Sequence, residues 1–170
     1  AGARVLAAGG NAVDAAVATG FALAAVEPWN SGLGGVGYML VYSVKKGRVS
    51  VVDFGPVSPS GLDPAAYPLM GGSTTTRDLF TWPAVKDDRN VHGPLSMAVP
   101  GHPDGLGLAL EQFGTMKLSD VMKPAIELAE QGIAVDWFLT LKAATMANEL
   151  ARYPVTRDIW LPNGFPPVTP

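Results

Sequence analysis

The sequence predicts an α+β fold in which a layer of helices packs against a mostly antiparallel sheet. Three observations support this prediction: an alanine-rich apolar helix near the start, two apolar strands joined by a short turn directly after it, and a second half dominated by helical segments. The chain has 170 residues, about one domain's worth, and 48% of them are apolar, which is enough for a substantial core.

The central helix is predicted from about residue 12 to about residue 26. Asn11 is a favourable N-cap, and the carboxylate of Asp14, at the third helical position, can reach back to it in a capping box. The helix is apolar on every face, which is typical of a helix buried inside a layered structure. A shorter helical segment over residues 3–8 precedes it and ends at two glycines.

Two strands are predicted after this helix, over residues 37–44 and 49–54. The residues between them include Gly47, which can supply the positive φ of a hairpin turn. Nearly every residue of both strands is apolar, so both faces of the sheet are expected to be covered.

Beyond the hairpin, the sequence predicts a long irregular region followed mainly by helices. Residues 55–91 are rich in proline, glycine, serine and threonine, and surface loops of this length often carry function. A short strand is predicted over residues 95–99. Three helices are predicted after it, over about 103–113, over about 119–131 with Ser119 as the N-cap, and over about 136–152.

The pattern G-x-G-x-x-G occurs at Gly32, Gly34 and Gly37. This spacing binds the pyrophosphate of a dinucleotide when it links a strand to a following helix. Here the order is helix, glycines, strand, so no helix N-terminus faces a ligand. The glycines are therefore interpreted as the bend that joins a buried helix to a strand packed close beneath it.

Composition disfavours several classes of function. The net charge is −3 and no basic run exceeds two lysines, which argues against binding to nucleic acid or to an anionic membrane surface. The apolar stretch over residues 15–26 is shorter than the ~20 residues that a membrane span needs. The absence of cysteine excludes disulfides, cysteine-ligated zinc and a cysteine nucleophile within this chain. Only 16% of residues are charged, which predicts burial of much of the surface against further polypeptide.

Several blocks of sequence together resemble the N-terminal part of the large subunit of gamma-glutamyltransferases. They are "GGNAVDAAVATGFALAAVEP", "SGLGGVGYMLVY", "VVDF" and "LSMAVPGHPDGLGLALEQFGTMKLSDVMKPAIELAEQGIAVD". The resemblance covers almost the whole chain, and the order and spacing of the blocks make it specific. It implies that residues 1–170 are a partial large-subunit region, expected to be truncated at both ends, with residues 55–91 as a long loop.

The resemblance implies an N-terminal-nucleophile hydrolase fold, an αββα sandwich of which this chain supplies only part. Members of the family are made as one precursor that cleaves itself, and the new N-terminal threonine of the small subunit is both the nucleophile and, through its amine, the general base. It takes the γ-glutamyl group from glutathione-like donors as an acyl-enzyme. No catalytic residue is therefore expected in this chain, and the chain alone is expected to be inactive.

The implied partners are the rest of the large subunit, the catalytic small subunit, and a small-molecule γ-glutamyl or other amide substrate. The resemblance implies neither a cofactor nor a metal, and His92 and His102 lie in predicted loops without carboxylates at ligand spacing. His102 is interpreted as a capping or surface residue. Family members are commonly periplasmic, secreted or surface-anchored, and nothing in this sequence selects a compartment.

One departure from the family concerns substrate binding. Gamma-glutamyltransferases read "DFRE" after the second strand, and the arginine clamps the α-carboxylate of the glutamyl donor. This chain reads "DFGP": Asp53 and Phe54 match, but Gly55 stands at the position of the arginine. The resemblance therefore implies Asp53, Phe54 and Gly55 as substrate-binding positions, with the charged contact missing. Either another cation replaces it or the substrate is not a γ-glutamyl compound.

Two arginines and a run of threonines in the long loop bear on this question. Arg77 and Arg89 are the local candidates for a replacement cation, and the alternative is that both are ordinary solvated loop residues. The run from Thr74 to Thr76 is interpreted as a polar loop with turn-forming hydroxyls and not as the nucleophile junction.

Three functions stay open at this stage: part of an enzyme acting on γ-glutamyl amides, part of a related acylase acting on another amide, or a non-catalytic relative that keeps the fold.

Overall fold

A computed structural model describes residues 1–75 and 81–168. In these residues two α-helices come first, four strands follow them, and α-helices dominate the second half. The α-helices are α1 (Gly2–Ala7), α2 (Ala12–Val26), α3 (His102–Phe113), α4 (Leu118–Gln131), α5 (Trp137–Thr145), α6 (Ala147–Leu150) and α7 (Pro154–Trp160). The strands are β1 (Gly37–Ser43), β2 (Arg48–Phe54), β3 (Leu69–Thr75) and β4 (Trp82–Val85).

Helix α2 lies at the centre of the helix layer and has the predicted capping box. The Asn11 side chain accepts hydrogen bonds from the backbone N–H groups of Val13 and Asp14, and Asp14 Oδ2 accepts one from the Asn11 N–H at 2.7 Å. Val17 and Ala18, midway along the helix, are fully buried. Because α1, α3 and α4 all pack against it, a helix that is apolar on every face is stable here.

Strands β1 and β2 form an antiparallel hairpin that lies against α2 and α3. The register places Gly37 opposite Phe54 and Tyr38 opposite Asp53. The side chains that point towards the helices form part of the core, and among them Val52 is fully buried.

The outward face of this hairpin is not covered by the described residues, whereas the sequence predicted that both faces would be covered. Asp53 lies on this face beside large apolar side chains that are more than half exposed. These side chains are Tyr38, Leu40, Tyr42, Val49 and Val51. Alternation along a strand sends successive side chains to opposite faces, and the helices described here cover one face only. Packing against the helices therefore accounts for the apolar residues on the helix-facing side of the hairpin, but not for those on its outward face.

The region between the hairpin and α3 also differs from the prediction. Residues 55–91 are not irregular throughout, because β3 and β4 pair as a second antiparallel hairpin, with Thr74 opposite Pro83 and Thr75 opposite Trp82. The threonine run therefore begins inside a strand and not in a loop, whereas Thr76 and Arg77 lie outside the described residues.

Two further predictions after this hairpin are wrong. No strand forms over residues 95–99. Instead Pro94–Ser96 is a short 3-10 turn, which the Ser96 hydroxyl closes by donating to the Gly93 carbonyl at 2.8 Å. The helix predicted over 136–152 is divided, because helical geometry is interrupted at Met146 between α5 and α6. Helix α4 begins two residues earlier than the predicted cap implies, because its N-cap is Lys117 and not Ser119.

Candidate functional site

Three segments meet at the open end of the β1–β2 hairpin. They are the glycine-rich connection from α2 to β1, the last residues of β2, and the first turn of α3. The His102 backbone N–H donates to the Gly35 carbonyl at 2.9 Å, which joins the start of α3 to the glycine-rich connection. This junction has no phosphate-binding geometry of the dinucleotide type, because the connection leads into a strand.

Phe54 holds the end of β2 against α3. Its ring occupies a slot between two glycines, because a β-carbon at Gly37 or Gly105 would fall within 3 Å of the ring. A β-carbon at Gly101 would fall within 3 Å of the Phe54 backbone carbonyl oxygen. The closest of these approaches is at Gly105, inside α3, where an added β-carbon would overlap the ring itself. Phe54 therefore acts through packing, and its side chain lies on the helix side of the sheet.

His102 also belongs to this packing and is not a surface residue. Its ring makes edge-on contacts with Phe21 at 6.4 Å and with Phe54 at 6.2 Å between ring centroids. The Nε2 atom is buried and has no hydrogen-bond partner among the residues that the structure describes. The expectation of a capping or surface role is therefore wrong, because α3 begins at His102 with its ring turned onto the core.

On the opposite face of the sheet, Asp53 and Gly55 lie beside Tyr38. Asp53 Oδ1 accepts a hydrogen bond from the Gly55 backbone N–H at 2.9 Å, which fixes the turn after β2. A β-carbon on residue 55 would overlap the Tyr38 hydroxyl, and the three atoms nearest to it belong to Tyr38 and Asp53. The space next to Gly55 is thus taken by a phenol, and no guanidinium is among those nearest neighbours.

Tyr38 was not singled out from the sequence. The signal that could have found it is the hairpin register, because the short turn over residues 45–48 pairs Tyr38 with Asp53, two residues before Gly55. Of the two arginines considered as replacement cations, Arg89 is held within its own loop, bonded to the Ala66 carbonyl at 3.2 Å and to Asp87 at 3.0 Å. Arg77 lies outside the described residues.

Asp14 is a buried carboxylate in the helix layer, about forty residues before the turn that follows β2. Besides the Asn11 N–H, it accepts hydrogen bonds from the Thr115 N–H at 2.8 Å, the Thr115 hydroxyl at 2.6 Å and the Met116 N–H at 3.1 Å. Burial by itself raises the pKa of Asp14, but these hydrogen bonds to the ionised form outweigh it and lower the pKa below its ordinary value. Asp14 therefore ties the start of α2 to the α3–α4 connection, a structural role.

A metal centre is not built by the residues described, since none of their His, Asp and Glu side chains form a group of three suited to holding an ion. In the same part of the chain, no helix is both long and apolar enough to cross a membrane.

The comparisons with known proteins agree with this architecture. A family model described as Gamma-glutamyltranspeptidase matches residues 1–169. The "Glutathione hydrolase proenzyme" of Bacillus subtilis strain 168 is 36% identical over 165 residues, covering 97% of this chain and 26% of the relative. The "Acylase ACY 1 proenzyme" of Pseudomonas sp. strain SE83 is 38% identical over 167 residues, covering 98% of this chain and 29% of the relative.

Among solved structures, gamma-glutamyltranspeptidase from Helicobacter pylori superposes with a TM-score of 0.83 at 30% identity, covering 97% of this chain and 44% of that one. The helix layer and its antiparallel hairpin are thus part of an α+β N-terminal-nucleophile hydrolase fold. The chain belongs to the gamma-glutamyltranspeptidase family and corresponds to its N-terminal region. It spans about a quarter of the length of the curated relatives it matches.

Proposed function

We propose that this chain forms one wall of the substrate cleft of an amide-cleaving enzyme whose nucleophile is a threonine outside the chain. In this chemistry the threonine hydroxyl attacks the amide carbonyl, the amine leaves with the proton, and water or a second amine then takes the acyl group from the threonine ester. Family membership supports the proposal, as do two relatives whose names describe a glutathione hydrolase proenzyme and an acylase proenzyme. The rest of the large subunit and the small subunit would complete the cleft.

Two classes of acyl donor fit this chemistry, the γ-glutamyl amides and the amides of other acids. The observation that favours the second class is the turn after β2, where Gly55 adjoins the Tyr38 hydroxyl and the Asp53 carboxylate. A donor carboxylate placed there would meet a carboxylate and a phenol in place of a guanidinium. Hydrogen bonds to charged groups contribute about 1.5–3 kcal/mol, so the missing clamp lowers the affinity for such a donor by about 10- to 100-fold.

The donor class is tested on the full-length protein with two chromogenic amides. One is γ-glutamyl 4-nitroanilide, and the other is the same compound with its α-carboxylate converted to a carboxamide. We expect kcat/KM to be at least about tenfold higher for the neutral donor, because no cation at position 55 compensates the charge. Equal or better use of the charged donor would contradict the acylase proposal and favour a γ-glutamyl enzyme.

The same preparation tests whether the protein is an enzyme of this kind at all. Intact-mass measurement is expected to show two chains, the smaller of which begins with threonine. A single uncleaved chain without amide turnover would contradict the enzyme proposal and leave a non-catalytic relative.

A further inference from the structure

We propose that Tyr38 is a specificity-determining residue whose hydroxyl donates a hydrogen bond to an uncharged acceptor on the acyl group of the donor. The ligand class is an acyl group with a neutral carbonyl, such as a carboxamide or an ester, at the place where a γ-glutamyl donor has its α-carboxylate. This inference rests on the proposed function, because it takes the turn after β2 as a wall of the cleft.

The backbone places Tyr38 for this role. It stands second in β1, directly opposite Asp53, and its side chain lies on the outward face of the hairpin. The hydroxyl reaches past Asp53 to the α-carbon of Gly55, where any β-carbon would collide with it. A side chain on residue 55 would therefore displace the phenol from this position, so the two residues are sterically coupled.

Within the described part of this chain, the Tyr38 hydroxyl is exposed and unbonded. The Tyr38 side chain is 60% exposed, and its hydroxyl has no hydrogen-bond partner in residues 1–75 and 81–168. A phenol can both donate and accept, whereas the nearby Asp53 carboxylate when ionised can only accept, and one of its oxygens is already bonded to the Gly55 N–H. A donor beside an acceptor-only group suits a neutral carbonyl and repels a second carboxylate.

The test uses Tyr38→Phe in the full-length protein, since this change removes only the hydroxyl. Tyr42→Phe is the matched control, because Tyr42 lies on the same strand and face and is 63% exposed but pairs with Val49, at the far end of the hairpin. The two substrates are the α-carboxamide 4-nitroanilide described above and 4-aminobutyryl 4-nitroanilide, which keeps the scissile amide but has no α-carboxamide. Self-cleavage and the thermal unfolding midpoint report whether each variant folds.

We expect Tyr38→Phe to lower kcat/KM for the carboxamide donor by about three- to tenfold, which is the range of a single neutral hydrogen bond. The kcat/KM for the 4-aminobutyryl donor should not change. Tyr42→Phe should change neither. An equal loss on both donors would overturn the proposal in favour of a structural role, and unchanged kinetics on both would overturn it outright. Failure of the proposed function looks different, because the wild-type protein would then prefer the charged donor or turn over none.

Discussion

Replacing Gly105 with alanine is expected to destabilise the protein by about 1–3 kcal/mol, although alanine is normally the better helix former. The added β-carbon would overlap the Phe54 ring and approach the Phe54 β-carbon to 2.6 Å. These atoms lie at the base of the side chain, so rotation of the ring cannot relieve the overlap, and either α3 or the end of β2 has to move. Urea unfolding of the full-length protein measures the loss.

Gly107→Ala is the matched control, because Gly107 lies in the same helix and an added β-carbon there meets nothing within 4 Å. We expect this variant to be stabilised by up to about 1 kcal/mol, from helix propensity alone. The difference between the two variants isolates the steric cost. Gly105→Ala should also lower kcat/KM for amide donors, since displacement of Phe54 moves Asp53 and Gly55 with it. Equal stability of the two variants would contradict the close approach of α3 to β2.

Replacing Asp14 with asparagine is expected to cost about 3 kcal/mol at neutral pH. The carboxylate accepts four hydrogen bonds, and an amide group keeps only one acceptor oxygen while placing its own N–H groups against the remaining donors. Asp104→Asn is the control, because Asp104 is exposed in the first turn of α3. Asp104→Asn should lower the free energy of unfolding only by the interaction of one charge with the helix dipole, about 0.3–1 kcal/mol.

The Asp14 contribution also depends on pH in a defined direction. Folding lowers the pKa of Asp14, so its stabilisation is complete above the unfolded-state pKa of about 4 and is lost as the pH falls through the folded pKa. The difference in the free energy of unfolding between wild-type protein and Asp14→Asn should therefore shrink as the pH falls below about 4. Urea midpoints measured from pH 7 down to pH 3 for both proteins check this. A constant gap between the two curves would show that folding does not lower the pKa of Asp14.

The elements that were predicted correctly from the sequence are those specified by local signals. The capping box at Asn11 and the apolar run behind it predict α2 to within a residue, and the glycine-containing turn at residues 45–48 predicts the hairpin. The order of helix, glycines and strand was enough to exclude a dinucleotide site at Gly32–Gly37. The β3–β4 hairpin was missed because its strands contain glycine, serine and proline, which are weak strand formers or favour loops.

The sequence by itself determined the family, the α+β class and the absence of an arginine at position 55, since these follow from residue identity and order. Only the tertiary structure showed what stands beside Gly55. The Tyr38 hydroxyl reaches Gly55 across the hairpin, although the two residues are 17 positions apart in the sequence. Phe54 packs against glycines at the start of α3, which begins some fifty residues later. No local pattern encodes such contacts, because they arise from strand register and from the close approach of backbones.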